Sequence, residues 1–204
     1  TYGNQEWSTQ SANVTTYRDG TPIPEVTDPG EWANLTTGAW CYYDNDSTKG
    51  RLYNWYAVAG IHDNDPNTPN KEFAPEGWHV PSPSEWHTLR EHLIANGYNY
   101  DGTTTVNKIA KSMASTTGWI SDDTLGVPGN NQSLNNNSGF NAFPKGRRII
   151  QGSWFSFEGE AAFFWSSTAS NTNAYYRSLY YYISSLGGTS LDKRCGLSVR
   201  FVKD

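Results

Sequence analysis

Ser82-Pro83-Ser84-Glu85-Trp86-His87-Thr88-Leu89-Arg90-Glu91-His92-Leu93-Ile94-Ala95-Asn96-Gly97 is the stretch on which the fold turns. A serine, a proline directly after it and a glutamate three residues on are the signature of a capped helix start. The hydroxyl and the carboxylate each satisfy an orphan backbone N–H, and proline costs nothing where no N–H partner exists. Trp86, Leu89 and Leu93 then recur at helical spacing, and Gly97 supplies a left-handed stop. Downstream, Val106, Ile109, Ala110 and Met113 would share one face of a second helix over residues 106–113. Upstream, residues 52–59 form an apolar run short enough for either a buried strand or a short helix. Residues 1–40 read as extended segments broken by turns at Asp19-Gly20, Pro22-Ile23-Pro24 and Asp28-Pro29-Gly30.

Residues 115–140, rich in Asn, Gly, Ser and Thr, read as loop. From Phe140 onward the text changes to short aromatic runs between turns: Gly152 to Phe155, Ala162 to Trp165, Ala174 to Tyr182 and Leu197 to Val202. Helices followed by a block of strands predict an α+β fold, with two helices on a twisted antiparallel sheet and long loops. The chain has 204 residues, which suits one domain. Its 9 Trp, 13 Tyr and 8 Phe stand against 1 Met and 17% charged residues, so aromatics must supply the core that aliphatics usually give.

Several function classes drop out on composition. The net charge is −5 and no basic run occurs, so nothing neutralises a phosphate backbone and nucleic acid is not an expected partner. No stretch approaches about 18 apolar residues, so no membrane-spanning helix is expected. No signal peptide is recognisable, and a start at Thr1 suits either a processed form or an arbitrary boundary. Cys41 and Cys195 match no metal or redox spacing. In an oxidising compartment they are expected to form a disulfide worth about 4–5 kcal/mol. The alternative is two buried free thiols.

An ordered set of motifs then carries a resemblance that runs nearly end to end. It comprises Gly3-Asn4-Gln5-Glu6-Trp7, Tyr17-Arg18-Asp19-Gly20-Thr21-Pro22-Ile23-Pro24, Ala39-Trp40-Cys41-Tyr42-Tyr43-Asp44-Asn45-Asp46 and Gly50-Arg51-Leu52-Tyr53-Asn54-Trp55-Tyr56-Ala57-Val58. Pro75-Glu76-Gly77-Trp78-His79-Val80-Pro81-Ser82, Ser138-Gly139-Phe140-Asn141-Ala142, Trp165-Ser166-Ser167-Thr168 and Gly196-Leu197-Ser198-Val199-Arg200 complete it. On these the chain resembles the Fibrobacter succinogenes major paralogous domain, a family of secreted bacterial domains distantly similar to formylglycine-generating enzymes and C-type-lectin-like domains. The resemblance implies a C-type-lectin-like fold whose long loops carry function. Cysteines frequent in the family are replaced here by Ala74 and Phe201, which implies the joint loss of a disulfide and leaves Cys195 as a new partner for Cys41. The copper-ligating cysteine pair of the related oxidases has no counterpart, so that activity is not expected.

Each candidate site has an ordinary explanation beside it. Glu158 and Glu160 flank Gly159, which favours a solvated turn over a catalytic carboxylate pair. Asp63, Asp65 and Asn67 alternate as hard oxygen ligands would, making them a calcium candidate, and Asp44 and Asp46 form a similar pair, but Asp, Asn and Pro are also the usual residues of surface turns. No other cofactor is expected. Trp154, Trp165, Tyr175, Tyr176 and Tyr181 are candidates for a calcium-independent sugar-stacking surface; otherwise they are core and sheet residues. Asn13, Asn34, Asn45, Asn131 and Asn136 head Asn-x-Ser/Thr sequons, a number that chance explains in so Asn-rich a chain.

Residues 1–13 are a candidate assembly arm anchored by Tyr2 and Trp7. Two arrangements are open: strand addition to a neighbouring copy, which propagates a filament, or pairing within the same domain, which is preferred. The expectation from sequence is an extracellular or cell-surface, non-catalytic module. It would be a self-assembling fibre subunit or adhesin, whose partners are further copies of itself or surface glycans and proteins. A calcium-independent carbohydrate-binding module is the alternative, with a hydrolase or oxidase third.

Overall fold

A computed structural model describes residues 1–150 and 154–204. Its longest helix, α3 (Pro83–Ala95), begins as the sequence dictates. The Ser82 N–H and hydroxyl both donate to the Glu85 carboxylate at 2.8 Å, and the Glu85 N–H returns a bond to Ser82 Oγ. At the other end the Gly97 N–H donates to the Ile94 carbonyl and the Tyr98 N–H to the Leu93 carbonyl. With Gly97 at φ +76°, this is the paired bonding that closes a helix on a left-handed residue. Trp86, Leu89 and Leu93 are fully buried.

Among the described residues three further α-helices are short, α1 (Pro29–Ala33), α2 (Trp55–Val58) and α4 (Ala110–Met113), beside single 3-10 turns at Tyr43–Asn45 and Gln132–Leu134. The first corrects the turn expected at Asp28-Pro29-Gly30, because the Asp28 side chain accepts the Glu31 N–H and caps a helix with proline at its first position. Residues 52–59 divide into both of the forms open to them. They end strand β2 (Arg51–Tyr53), and Asn54 then caps α2 by accepting the Ala57 N–H. The helix expected over residues 106–113 shrinks to α4, since Val106 adopts φ +65° and is 70% exposed.

The remaining strands are β1 (Trp40–Tyr42), β3 (Trp78–His79), β4 (Lys145–Arg148), β5 (Phe155–Glu158), β6 (Ala161–Ser170), β7 (Asn173–Tyr180), β8 (Ser190–Asp192) and β9 (Val202–Lys203). Of the run expected over residues 152–155, Gly152 and Ser153 lie outside the described residues. Five strands form the main sheet in the order β5-β4-β6-β7-β8, while β1 pairs β2 and β3 pairs β9. The fold is α+β, but the sheet is not wholly antiparallel, because β4 and β6 run parallel. The reason is connectivity. Chain reversal at Gly159, φ +74°, makes β6 antiparallel to β5, and β6 then pairs on the far side of β4. Glu158 ends β5 and Glu160 lies in the turn, so the two flank that reversal.

The recognised motifs turn out to be the bonds that hold these pieces together. Trp165 Nε1 donates to the Tyr53 carbonyl at 2.8 Å and Trp55 Nε1 to the Ser166 carbonyl at 2.9 Å. The Ser166 hydroxyl and the Ser167 N–H both reach the Pro81 carbonyl. Arg18 donates to the carbonyls of Ala74, Pro75 and Trp78, and Arg200 to those of Ser8 and Asn141. His79 bridges the Glu85 and Asp204 carboxylates at 2.5 and 2.7 Å, tying the start of α3 to the end of the chain.

Residues 1–13 pack within their own chain. Trp7 bridges to Val202, the Ser8 N–H donates to the Phe201 carbonyl and the Ala12 N–H to the Val199 carbonyl. Tyr2 and Trp7 are buried, and Trp7 meets Trp86 edge-on with ring centroids 4.7 Å apart. The expected disulfide is corrected as well: Cys41 and Cys195 are both free and buried. Pairing of β1 with β2 sets Cys41 opposite Leu52, in a cluster with Val26 and Trp32. Cys195 packs in a different cluster, beside Trp55 and Trp165. Ala74 and Phe201 share that second cluster as apolar neighbours.

Candidate functional site

Where residues 9–13 cross the closing strand, they form one wall of a cleft of ≈ 480 Å³. Its other walls are Tyr42 at the end of β1, the turn at residues 47–51 and the segment holding Asn141, Phe143 and Lys145, with Arg200 at the back. A second cavity of ≈ 320 Å³ adjoins it and shares Thr48, Lys49, Gly50, Phe143 and Lys145. Backbone bonding of Ser8 and Ala12 to the closing segment fixes the first wall. The turn is closed by Asp46, whose side chain accepts the N–H and hydroxyl of Thr48. Gly50 lets the Lys145 side chain lie against the turn, since a Cβ there would push its ammonium end aside.

The charge in this cleft runs against that of the chain. Among the described residues no carboxylate lines the larger cavity, which holds Lys49, Arg51, Lys145 and Arg200. Lys49 is neutralised, with Nζ 2.8 Å from Glu158 and 3.8 Å from Asp44. Arg51 stacks over Trp40 at 4.5 Å and donates to the Tyr42 hydroxyl and to Asn13. Arg200 is 1% exposed and lies 4.8 Å over Phe140. Burial pushes it down to about 10, so it stays charged at neutral pH. Lys145, half-buried, has no ion-pair or hydrogen-bond partner among the described residues. Burial, and then the nearby Arg200, hold its ammonium below the usual lysine range.

The aromatic candidates do not converge on a surface. Trp165 is wholly buried and Tyr176 is 8% exposed, so both are corrected to core; β6 and β7 are interior strands of the sheet, and these two side chains point inward. Trp154 is 67% exposed and Tyr175 38%, but they stand towards opposite edges, beside β5 and against β8. Tyr181 is half-buried against the α3 cluster. Phe143, which sequence reasoning passed over, is 45% exposed and lines both cavities.

At the calcium candidate, Asp63 accepts the Asp65 N–H, while Asp65 accepts the Asn67 N–H and side-chain amide. These are consecutive aspartate turns, and the Asn67 amide presents its N–H to Asp65. No group of three or more His, Cys, Asp or Glu side chains is placed to hold a metal among the described residues. Asn13, Asn34, Asn45 and Asn131 are exposed and Asn136 is half-buried. Asn45, Asn131 and Asn136 have positive φ, a conformation asparagine tolerates well, which accounts for them as turn residues. Asn13 instead lines the cleft.

The model of the Fibrobacter succinogenes major domain family matches residues 1–203. The chain belongs to this family. No curated protein and no solved structure matches it. The motifs that carry the resemblance supply structural bonds through Arg18, Trp55, Trp165 and Ser166 and part of the cleft wall through Tyr42, Arg51, Asn141 and Arg200, whereas Phe143 and Lys145 lie just beyond the Gly139-Phe140-Asn141-Ala142 stretch. No spacing rule marks them. Lys49, Lys145 and Arg200 are far apart in sequence, and only folding brings them to one cavity.

Proposed function

We propose that this domain is a non-catalytic, extracellular binding module of C-type-lectin-like type, which seats a carbohydrate in the Lys145 cleft without calcium. The observation that carries the reading is the cleft itself. It offers an exposed aromatic face at Phe143, surrounded by the hydroxyl and amide groups of Thr9, Gln10, Ser11, Asn13, Thr48 and Asn141. Sugar sites combine those two elements, a flat apolar face for the ring and donors and acceptors for its hydroxyls. The meeting of the N-terminal and closing segments, with the Lys203 N–H donating to the Glu6 carbonyl, supports the lectin-like architecture.

The reading is non-catalytic because the groups in the cleft are cations, amides and hydroxyls in binding roles. The two thiols are buried, and burial pushes each up to about 11, far from the thiolate that nucleophilic chemistry needs. Binding is preferred to filament assembly because residues 1–13 already have partners within the chain.

The test is a glycan array followed by calorimetry with Phe143→Ala and excess chelator. Retained binding in chelator, lost in Phe143→Ala with unchanged thermal stability, is the expected result. Binding that depends on calcium, or is indifferent to Phe143, would place recognition elsewhere. Light scattering showing polymers of the native protein would restore the assembly reading.

A further inference from the structure

We infer that the ligand of this cleft is an anionic polysaccharide, carboxylated or sulfated, and that Lys145 is the group that recognises its charge. The inference rests on reading the cleft as the carbohydrate site. The chain carries a net charge of −5, yet this cavity gathers Lys49, Arg51, Lys145 and Arg200, and of these only Lys49 has a carboxylate partner among the described residues. A half-buried ammonium with neither counter-ion nor hydrogen bond weakens the folded state, since burial disfavours the charged form. An anion entering the cleft reverses that penalty.

The cations divide the work. Arg51 and Arg200 already spend N–H groups on Asn13, Tyr42, Ser8 and Asn141, so their main contribution to a ligand is field. Lys145 has all three ammonium donors available, and glycine at position 50 leaves room for them. Phe143, two residues before Lys145, borders the same space. A sugar acid can therefore rest its ring on Phe143 while its carboxylate or sulfate meets Lys145. The adjoining cavity leaves room for the next sugar unit; Lys49, shared by both cavities, and Glu158, opposite Lys145 across the β4–β5 pair, line it.

Affinity electrophoresis and calorimetry at about 0.15 M salt test this with polygalacturonate, dextran sulfate and neutral dextran. The proteins compared are wild type, Lys145→Gln and Lys108→Gln, the last a cation outside the cleft. The expected result is binding to at least one acidic polymer and not to dextran, weakened about tenfold or more by Lys145→Gln and unchanged by Lys108→Gln. Lys145→Gln should be at least as thermostable as wild type. The polygalacturonate and dextran sulfate arms tell a carboxylated ligand from a sulfated one.

Equal binding of dextran, untouched by Lys145→Gln, overturns the anionic inference and leaves the carbohydrate reading standing. Equal losses in the two lysine variants reduce the effect to general charge and also overturn it. Binding to none of these polymers, with no glycan retained on the array, removes the carbohydrate reading and this inference with it. Should Lys145→Gln fail to fold, Phe143→Ala reads the same space: acidic-polymer binding must fall with it, and unchanged binding refutes the site.

Discussion

Glu85→Gln isolates the charge in the latch that joins α3 to the end of the chain. The amide still accepts the Ser82 N–H, so the helix cap survives, but its ion pair with His79 is gone. Burial alone would lower the His79 pKa; the bonds to Glu85 and Asp204 outweigh it and hold the pKa above the ordinary 6.5. Burial alone would raise Glu85; the bonds from Ser82 and His79 outweigh it and hold Glu85 below the ordinary 4.5. The histidine contribution is therefore complete below 6.5 and fades as pH rises through its raised folded value. The glutamate contribution is complete above 4.5 and fades as pH falls through its lowered one.

The ion pair is thus fully formed between those two ordinary values. The side chains are 38% and 26% exposed, and solvent screening limits the pair to about 0.5–1 kcal/mol. In a domain of this size that is about 1–4 °C in Tm. Thermal unfolding followed by tryptophan fluorescence should show this loss in Glu85→Gln at about pH 5.5 and little of it at about pH 9. An equal loss at both pH values would mean that the carboxylate acts only as a cap, and the argument from charge would fail.

Three further outcomes follow from the packing. Trp7→Ala removes a buried ring that meets Trp86 and should cost about 3–5 kcal/mol, with no change of mass in light scattering; a change of mass without loss of stability would return residues 1–13 to an assembly role. Trp165→Phe opens a cavity and removes one of the two hydrogen bonds to the Tyr53 carbonyl, which keeps the Leu197 N–H; it should cost about 1–3 kcal/mol in denaturant titration, and a neutral result would contradict the core assignment. Cys41 and Cys195 should resist alkylation in the native protein and both react after unfolding, while a reductant leaves Tm unchanged; a reductant-sensitive Tm would reinstate the disulfide.

What the sequence by itself determined is local. The ends of α3 were legible because a cap uses residues within a few positions of each other, as Ser82, Glu85 and Gly97 do. The strands beginning at Phe155, Ala161 and Asn173 were legible because aromatic runs between turns have few other ways to be buried. The run expected over Leu197 to Val202 is instead isolated bridges at Leu197 and Ser198 and a strand only from Val202, and β4, which is not an aromatic run, was not foreseen. Val106 misled because its spacing suited a helix face while its backbone entered a left-handed turn. Trp165 and Tyr176 misled because an aromatic in a strand looks the same whether it points inward or out; β7 carries both kinds, Tyr176 in the core and Tyr175 exposed, and only the packing on the sheet's faces separates them. The thiols were paired on compartment and count, but β1–β2 pairing seats Cys41 opposite Leu52. The cleft belongs to the tertiary structure alone. A lysine in a sequence is by default a solvated charge, and only the approach of residues 9–13, 47–51 and 200 to Lys145 withdraws part of its water without supplying a carboxylate.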